Sequence, residues 1–290
     1  MKVWIDGKVV EGGSPEARIS VTDHGLLYGD GLFEGIRVYG GRVFRLPDHL
    51  ARIGTAARAI GLSIPGGTRA LEKVVLETAK AHGSPEAYIR LLVTRGDGEL
   101  GVDPTTCHHP RIVCIVDDIR LYPEEKCRIG LDMLTSSLRR PGADVLDPRV
   151  KSLNYMNSVL AKREARLRGA DEALLLNSAG MVAEAAVANL FVVKDGCLAT
   201  PPVTDGALEG ITRSSVFAIA AMLEIPAREV TLGRFDLFAA DEVFLTGSGA
   251  RIIAVATLDG QPIGNPGEHP ITDRLWQAFV PYAEEHGTPI

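Results

Sequence analysis

Apolar positions recur at two spacings along the chain, and they divide it into two regions. In the first, VWIDGKVV predicts a hairpin, with Val3 to Ile5 and Lys8 to Val10 flanking an Asp-Gly turn. GIRVYGGRVFRL repeats the device, with Gly40-Gly41 at its turn. Between Pro47 and Leu62 the spacing of Leu50, Ile53, Ala57 and Ile60 predicts a helix with Asp48 as N-cap, and a second helix is expected over Thr68 to Ala81. AYIRLLVTRG and RIVCIVDDI are β-rich runs, so residues 1–119 are expected to form a small α+β domain built on hairpins. RLYPEEK, residues 120–126, is polar with a proline and serves as the expected linker.

Beyond it, CRIGLDMLT, EALLLN, NLFVVKDGCLAT and DEVFLT predict strands, and Asn154 to Arg168 and Thr212 to Leu223 predict helices. Residues 127–290 are thus expected to form a larger mixed α/β domain, and the class of the whole is α/β. The chain's 290 residues, 46% hydrophobic and 23% charged, are ordinary for globular domains. A net charge of −6 gives no electrostatic attraction to nucleic acid or an anionic membrane. No run of about 18 apolar residues spans a bilayer, and the N-terminal segment lacks a signal-peptide core. The four cysteines, Cys107, Cys114, Cys127 and Cys197, form no CxxC pair. Cys107-His108-His109 lacks zinc spacing, so no metal is expected and a reducing, cytoplasmic setting is.

Nucleotide and hydrolase signatures such as GxxxxGK[ST], HExxH and GxSxG are absent. In EGITRSSVFAIAAML a stripe of Val216, Ile219, Ala220 and Leu223 sets a helix start near Ile211 or Thr212, just after Gly210. Such a start offers free amides to a phosphate, and serves equally as a plain N-cap. FLTGSGAR can likewise form an anion nest or a simple turn. Lys151, in LDPRVKSLNY, and Glu184, in VAEAAVANLFVVK, read singly as solvated charges. Taken together, a phosphate seat, an amine and a carboxylate are what pyridoxal phosphate requires.

The motifs YGDGLFEGIRVYGGRVFRLPDHLARI, AYIRLLVTRGDGELGVDP, LDPRVKSLNYMNSVLAKREA, VAEAAVANLFVVKDG, LEGITR and ADEVFLTGSGA occur in one order over nearly the full chain. In them the sequence resembles the fold-type IV, D-amino acid aminotransferase-like pyridoxal-phosphate enzymes, and specifically the branched-chain amino acid aminotransferases. The resemblance implies transamination of leucine, isoleucine or valine with 2-oxoglutarate. It implies that Lys151 bonds covalently to the cofactor, that Glu184 pairs with the pyridine nitrogen and that Tyr155 contacts the phenolic oxygen. Arg52, Ile211, Thr212 and Ser248 would hold the phosphate, and Leu208 would pack on the ring. For the substrate it points to Tyr28, Phe33, Gly35, Arg37, Tyr88 and Arg90, with Ser248-Gly249 holding the α-carboxylate. Leu100 and Val102 would reach a neighbouring subunit's pocket in a homodimer. The chain departs from the family pattern at Ala183-Glu184-Ala185-Ala186, where SEG[SA]G is usual, and at Gly247-Ser248-Gly249-Ala250-Arg251, where GTA-A-E is common. A D-amino acid transaminase, an aminodeoxychorismate lyase and a catalytically silent pyridoxal-phosphate binder are the alternatives.

Overall fold

The computed structural model describes residues 1–119, 122–265 and 267–290. The chain separates into two compact units, Met1–Ile119 with Val150–Asn154 and Ala283–Ile290, and Arg120–Arg149 with Tyr155–Tyr282. Two short excursions thus join the first unit, which a single cut at residues 120–126 does not include. Within that expected linker, Arg120 and Leu121 lie outside the described residues.

The first unit is built on a seven-stranded antiparallel sheet. Its order is Gly287–Pro289, Arg42–Phe44, Gly31–Tyr39, Ala87–Thr94, Arg111–Asp117, Lys2–Ile5 and Lys8–Glu11. Both expected hairpins form. Their turns need left-handed backbone at two successive positions, which Asp6 and Gly7 (φ 49° and 87°) and Gly40 and Gly41 (φ 54° and 74°) provide. Alternation along Gly31–Tyr39 sends Leu32, Ile36 and Val38 into a core with Ile53 and Ala57 of helix Leu46–Ala59 and Leu71 and Val75 of helix Gly67–His82. The first of these helices begins earlier than the sequence suggests. Arg45, with left-handed φ of 44°, occupies the N-cap, Pro47 fits the first turn, and Asp48 takes a hydrogen bond from Arg45 Nε at 2.8 Å in place of capping.

The second unit holds a nine-stranded mixed sheet. Its order runs Ala227–Glu229, Cys197–Thr200, Asn189–Lys194, Glu242–Gly247, Arg251–Leu258, Leu131–Arg139, Glu172–Leu176 and Val182–Ala185, with Gln261–Pro262 beside Arg251–Leu258. The expected strand at Cys127 is corrected: Glu124–Ile129 is a helix, with Pro123 before it and Gly130 (φ 96°) after it, and the strand starts at Leu131. Proline before and glycine after are helix punctuation that the apolar run obscured. The helix expected from Asn154 starts at Met156, and the one expected near Ile211 spans Ile211–Met222. A long helix, Pro270–Glu285, was not foreseen; Glu242 accepts from the Ile271 and Thr272 amides at its start, both at 2.8 Å. Among the described residues no helix is long and apolar enough to cross a membrane.

Candidate active site

In the first unit, the face of the sheet opposite the helices collects the expected substrate residues. Phe33, Gly35 and Arg37 alternate along one strand, and across the ladder Arg90 lies opposite Gly35 and Tyr88 opposite Arg37. The Arg90 guanidinium sits 4.5 Å from the centre of the Phe33 ring and donates from Nη2 to the Tyr88 hydroxyl at 3.1 Å. Glycine at position 35 leaves room for that hydroxyl, because a Cβ there would stand 2.2 Å from Tyr88 Oη and displace it. Five of the expected residues therefore share one surface.

Lys151 reaches this surface along the strand edge. Within Gly31–Tyr39, Arg42–Phe44 pairs only with Val38 and Tyr39, so the same side of Gly31–Phe33 is left to the segment Lys151–Leu153. The Phe33 amide donates to the Lys151 carbonyl at 3.0 Å, and the Leu153 amide donates to the Gly31 carbonyl at 2.9 Å. This backbone clamp leaves the Lys151 side chain to turn onto the sheet, where Nζ lies 4.4 Å from the Phe33 ring centre. Arg52 belongs to the helix-covered side. It grips Glu34, the residue between Phe33 and Gly35, through Nε to Oε1 at 2.8 Å and Nη2 to Oε2 at 2.6 Å.

The loop after the Ala87–Thr94 strand is tied down by Tyr28, whose hydroxyl donates to the Leu100 carbonyl at 2.6 Å, while His24 Nε2 meets the Glu99 carbonyl at 2.8 Å. Leu100 and Val102 themselves stay 80% and 77% exposed.

In the second unit, Glu184 lies within the short strand Val182–Ala185 and is buried. Its Oε1 pairs with Arg140 Nη2 at 2.7 Å, and its Oε2 accepts from the Leu208 amide at 3.0 Å and from Asn189 Nδ2 at 3.1 Å. Asn189 also donates to the Leu208 carbonyl at 2.8 Å, which fixes both polar groups of that residue. Arg140 and Asn189 were missed by sequence reasoning. Arg140 is distant in sequence and reaches Glu184 through the fold, whereas Asn189 lies five residues on, across the turn closed by the Ala185 amide and the Ala188 carbonyl.

Two residues after Leu208, Gly210 is the N-cap of the helix Ile211–Met222, with extended backbone and no side-chain cap. The amides of the first turn have no intrahelical acceptor by position, and they include those of Ile211 and Thr212, the latter 2% exposed. A Cβ on Gly210 would stand 1.9 Å from Asn189 Oδ1, so only glycine lets the helix start approach this strand. Thr246 is Asn189's direct neighbour across the ladder and shares its face; its hydroxyl is buried without a partner. The chain then turns through Ser248-Gly249-Ala250 and returns with Gly247 opposite Arg251, which holds a left-handed φ of 61°. The turn expected to be either a nest or a plain loop is therefore a tight hairpin end. Tyr155 occupies the N-cap position of Met156–Leu167.

No His, Cys, Asp or Glu cluster suited to a metal occurs among the described residues, and Cys107, Cys114 and Cys197 are free thiols.

The family model for amino-transferase class IV matches residues 31–258. A putative branched-chain-amino-acid aminotransferase of Methanocaldococcus jannaschii is 46% identical over 279 residues, covering 96% of this chain and 95% of that protein. Among solved structures, the branched-chain amino acid aminotransferase of Escherichia coli superposes with a TM-score of 0.93 at 33% identity, over 99% of this chain and 95% of that one. The T.th. branched-chain amino acid aminotransferase with pyridoxamine 5'-phosphate gives a TM-score of 0.92 at 37% identity, over 98% and 94% of the two chains.

Proposed function

Because the chain belongs to the class IV amino-transferase family, we propose that it moves the α-amino group of L-leucine, L-isoleucine or L-valine to 2-oxoglutarate with pyridoxal 5'-phosphate as cofactor. The observation that carries this reading is Lys151, clamped to the strand edge by its backbone with Nζ on the Phe33 ring beside Arg90. When bound, the cofactor supplies an aldehyde carbon for an amine and a ring that accepts electrons from the substrate's Cα.

The residues fit such a group. A phosphate needs donors without a competing carboxylate, and the Ile211 and Thr212 amides, the Ser248 turn and the unpartnered Thr246 hydroxyl are of that kind. Arg52 would add the charge. Glu184, anchored by Arg140, the Leu208 amide and Asn189, would accept the pyridine N–H, Leu208 would pack against the ring, and Tyr155 would meet the phenolic oxygen.

Lys151 has two tasks. Its amine would hold the cofactor at the aldehyde carbon, and the same amine would take the proton from the substrate's Cα. The substrate's α-carboxylate would rest on the Ser248-Gly249 turn. Tyr28, Phe33 and Tyr88 would surround an apolar side chain, with Gly35 leaving it room and Arg37 at the far end of the same row. Arg90 would meet the distal carboxylate of glutamate, since burying that group unpaired is costly.

A homodimer is part of the reading, supported by the exposure of Leu100 and Val102, as is a cytoplasmic setting, supported by the free thiols of Cys107, Cys114 and Cys197. A D-amino acid transaminase, a lyase or a silent binder is less well supported, because TRG is followed by Asp97-Gly98-Glu99-Leu100 without an Arg-x-His clamp. Initial rates with L-leucine and D-alanine as donors test the substrate assignment. Faster L-leucine turnover is expected, together with impaired glutamate use in Arg90→Ala. Faster D-alanine turnover overturns the assignment.

A further inference from the structure

Behind the proposed substrate surface lies a buried charged group that no step above uses. Glu34 and His49 are both fully buried, and His49 Nδ1 lies 2.7 Å from Glu34 Oε2, the oxygen that also receives Arg52 Nη2 at 2.6 Å. Burial would push the Glu34 carboxyl up, but the Arg52 guanidinium and His49 outweigh it and hold it at about 2, so it is ionised. Burial pushes His49 down against the opposing pull of Glu34, so the ring is neutral and Nδ1–H is the donor. The opposite ring nitrogen, Nε2, is buried and has no hydrogen-bond partner.

We propose that Glu34 and His49 are positioning residues that aim Arg52 at the cofactor's phosphate, with His49 bracing Glu34 and Glu34 gripping Arg52; this rests on the reading of Arg52 as a phosphate ligand. An arginine side chain is long and has many rotamers. A two-point grip through Nε and Nη2 fixes the plane of the guanidinium, and with it the direction of the Nη1 edge. An aimed donor loses less freedom on meeting its anion than one that must first be ordered. Glutamine at position 34 keeps the size of the side chain but removes its charge and one of the two acceptor oxygens that grip Arg52.

The test titrates the full-length protein with pyridoxal 5'-phosphate and, separately, with pyridoxal, which lacks the phosphate, reading dissociation constants from protein fluorescence. Wild type is expected to prefer the phosphorylated form strongly. Glu34→Gln should weaken pyridoxal 5'-phosphate binding by at least about tenfold, the step of roughly 1.4 kcal/mol, while changing pyridoxal binding by less than about twofold. Arg52→Lys should lose the same preference. If Glu34→Gln keeps the wild-type preference, or weakens both ligands alike, while Arg52→Lys loses it, the positioning role is overturned and the proposed function stands. If wild type has no preference, or Arg52→Lys retains it, the phosphate assignment of Arg52 fails and the inference fails with it. Should Glu34→Gln not fold, His49→Ala removes only the brace, and a preference equal to wild type in that variant overturns the proposal.

Discussion

Gly35→Ala offers a sharp test of how the proposed substrate surface is packed. The new Cβ would stand 2.2 Å from the Tyr88 hydroxyl and 3.0 Å from Tyr88 Cζ. The first distance is impossible, so the tyrosine must swing and its hydrogen bond from Arg90 at 3.1 Å goes with it. Overpacking of this kind costs about 1–3 kcal/mol, and the lost hydrogen bond adds about 1 kcal/mol. Tyr88→Phe removes the clashing atom in advance, leaving a ring contact that a shift of a few tenths of an ångström relieves. Introduced into Tyr88→Phe, the alanine should therefore cost at least about 1 kcal/mol less than in the wild-type protein. Urea unfolding of the four proteins in the cycle measures that coupling, and the KM for L-leucine should rise in Gly35→Ala. If the two changes add to within about 0.3 kcal/mol, the Tyr88 hydroxyl is not what makes glycine necessary, and the packing argument is wrong.

Three further outcomes are expected. Acid should destabilise the first unit through Glu34: its folded value is about 2 against an ordinary 4.5, so its contribution is complete above 4.5 and disappears as pH falls toward 2. The difference amounts to roughly 3 kcal/mol, and Glu34→Gln should flatten the fall of the urea midpoint below pH 4.5; an equal slope in both proteins counts against it. The lowered value of His49 acts in the same direction from pH 6.5 downward, because the unfolded ring takes up a proton that the folded one refuses. Replacing Glu184 by Gln should slow transamination at least about tenfold, or roughly 1.4 kcal/mol, and near-normal rates would mean another group serves the pyridine nitrogen. Leu100→Asp with Val102→Asp should shift the protein toward monomer in light scattering and reduce activity; an unchanged, fully active assembly would remove those residues from the interface.

Local chemistry made much of the scaffold readable from sequence. Asp6-Gly7 and Gly40-Gly41 could mark hairpins because a two-residue turn with left-handed backbone at both positions suits the twist of paired strands and favours such residues. The helix at Ile211 was readable from its glycine and apolar stripe. What stayed hidden depends on partners distant in sequence. Cys127 and Ile129 look like strand residues until Pro123 and Gly130 are weighed as helix boundaries. The start of Pro270–Glu285 is held by Glu242, which belongs to a strand well before it. At the site, Lys151 and Glu184 stood out only as members of motifs, since single charges carry no signal of their own. Their supports were not visible in the sequence: Arg140 meets Glu184 across the sheet, and the pairing of Glu34 with His49 and Arg52 joins a strand to a helix. In Gly31–Tyr39, alternation could tell which residues share a face but not which face would carry Lys151.

The central claim is that Lys151 is the amine through which this chain transfers amino groups. Its direct test is the initial rate of L-glutamate formation from L-leucine and 2-oxoglutarate, measured with pyridoxal 5'-phosphate in excess for wild type and Lys151→Ala. Wild type should turn over and Lys151→Ala should fall to the background of cofactor without protein. Wild-type turnover by Lys151→Ala, or no turnover by wild type, would contradict the account.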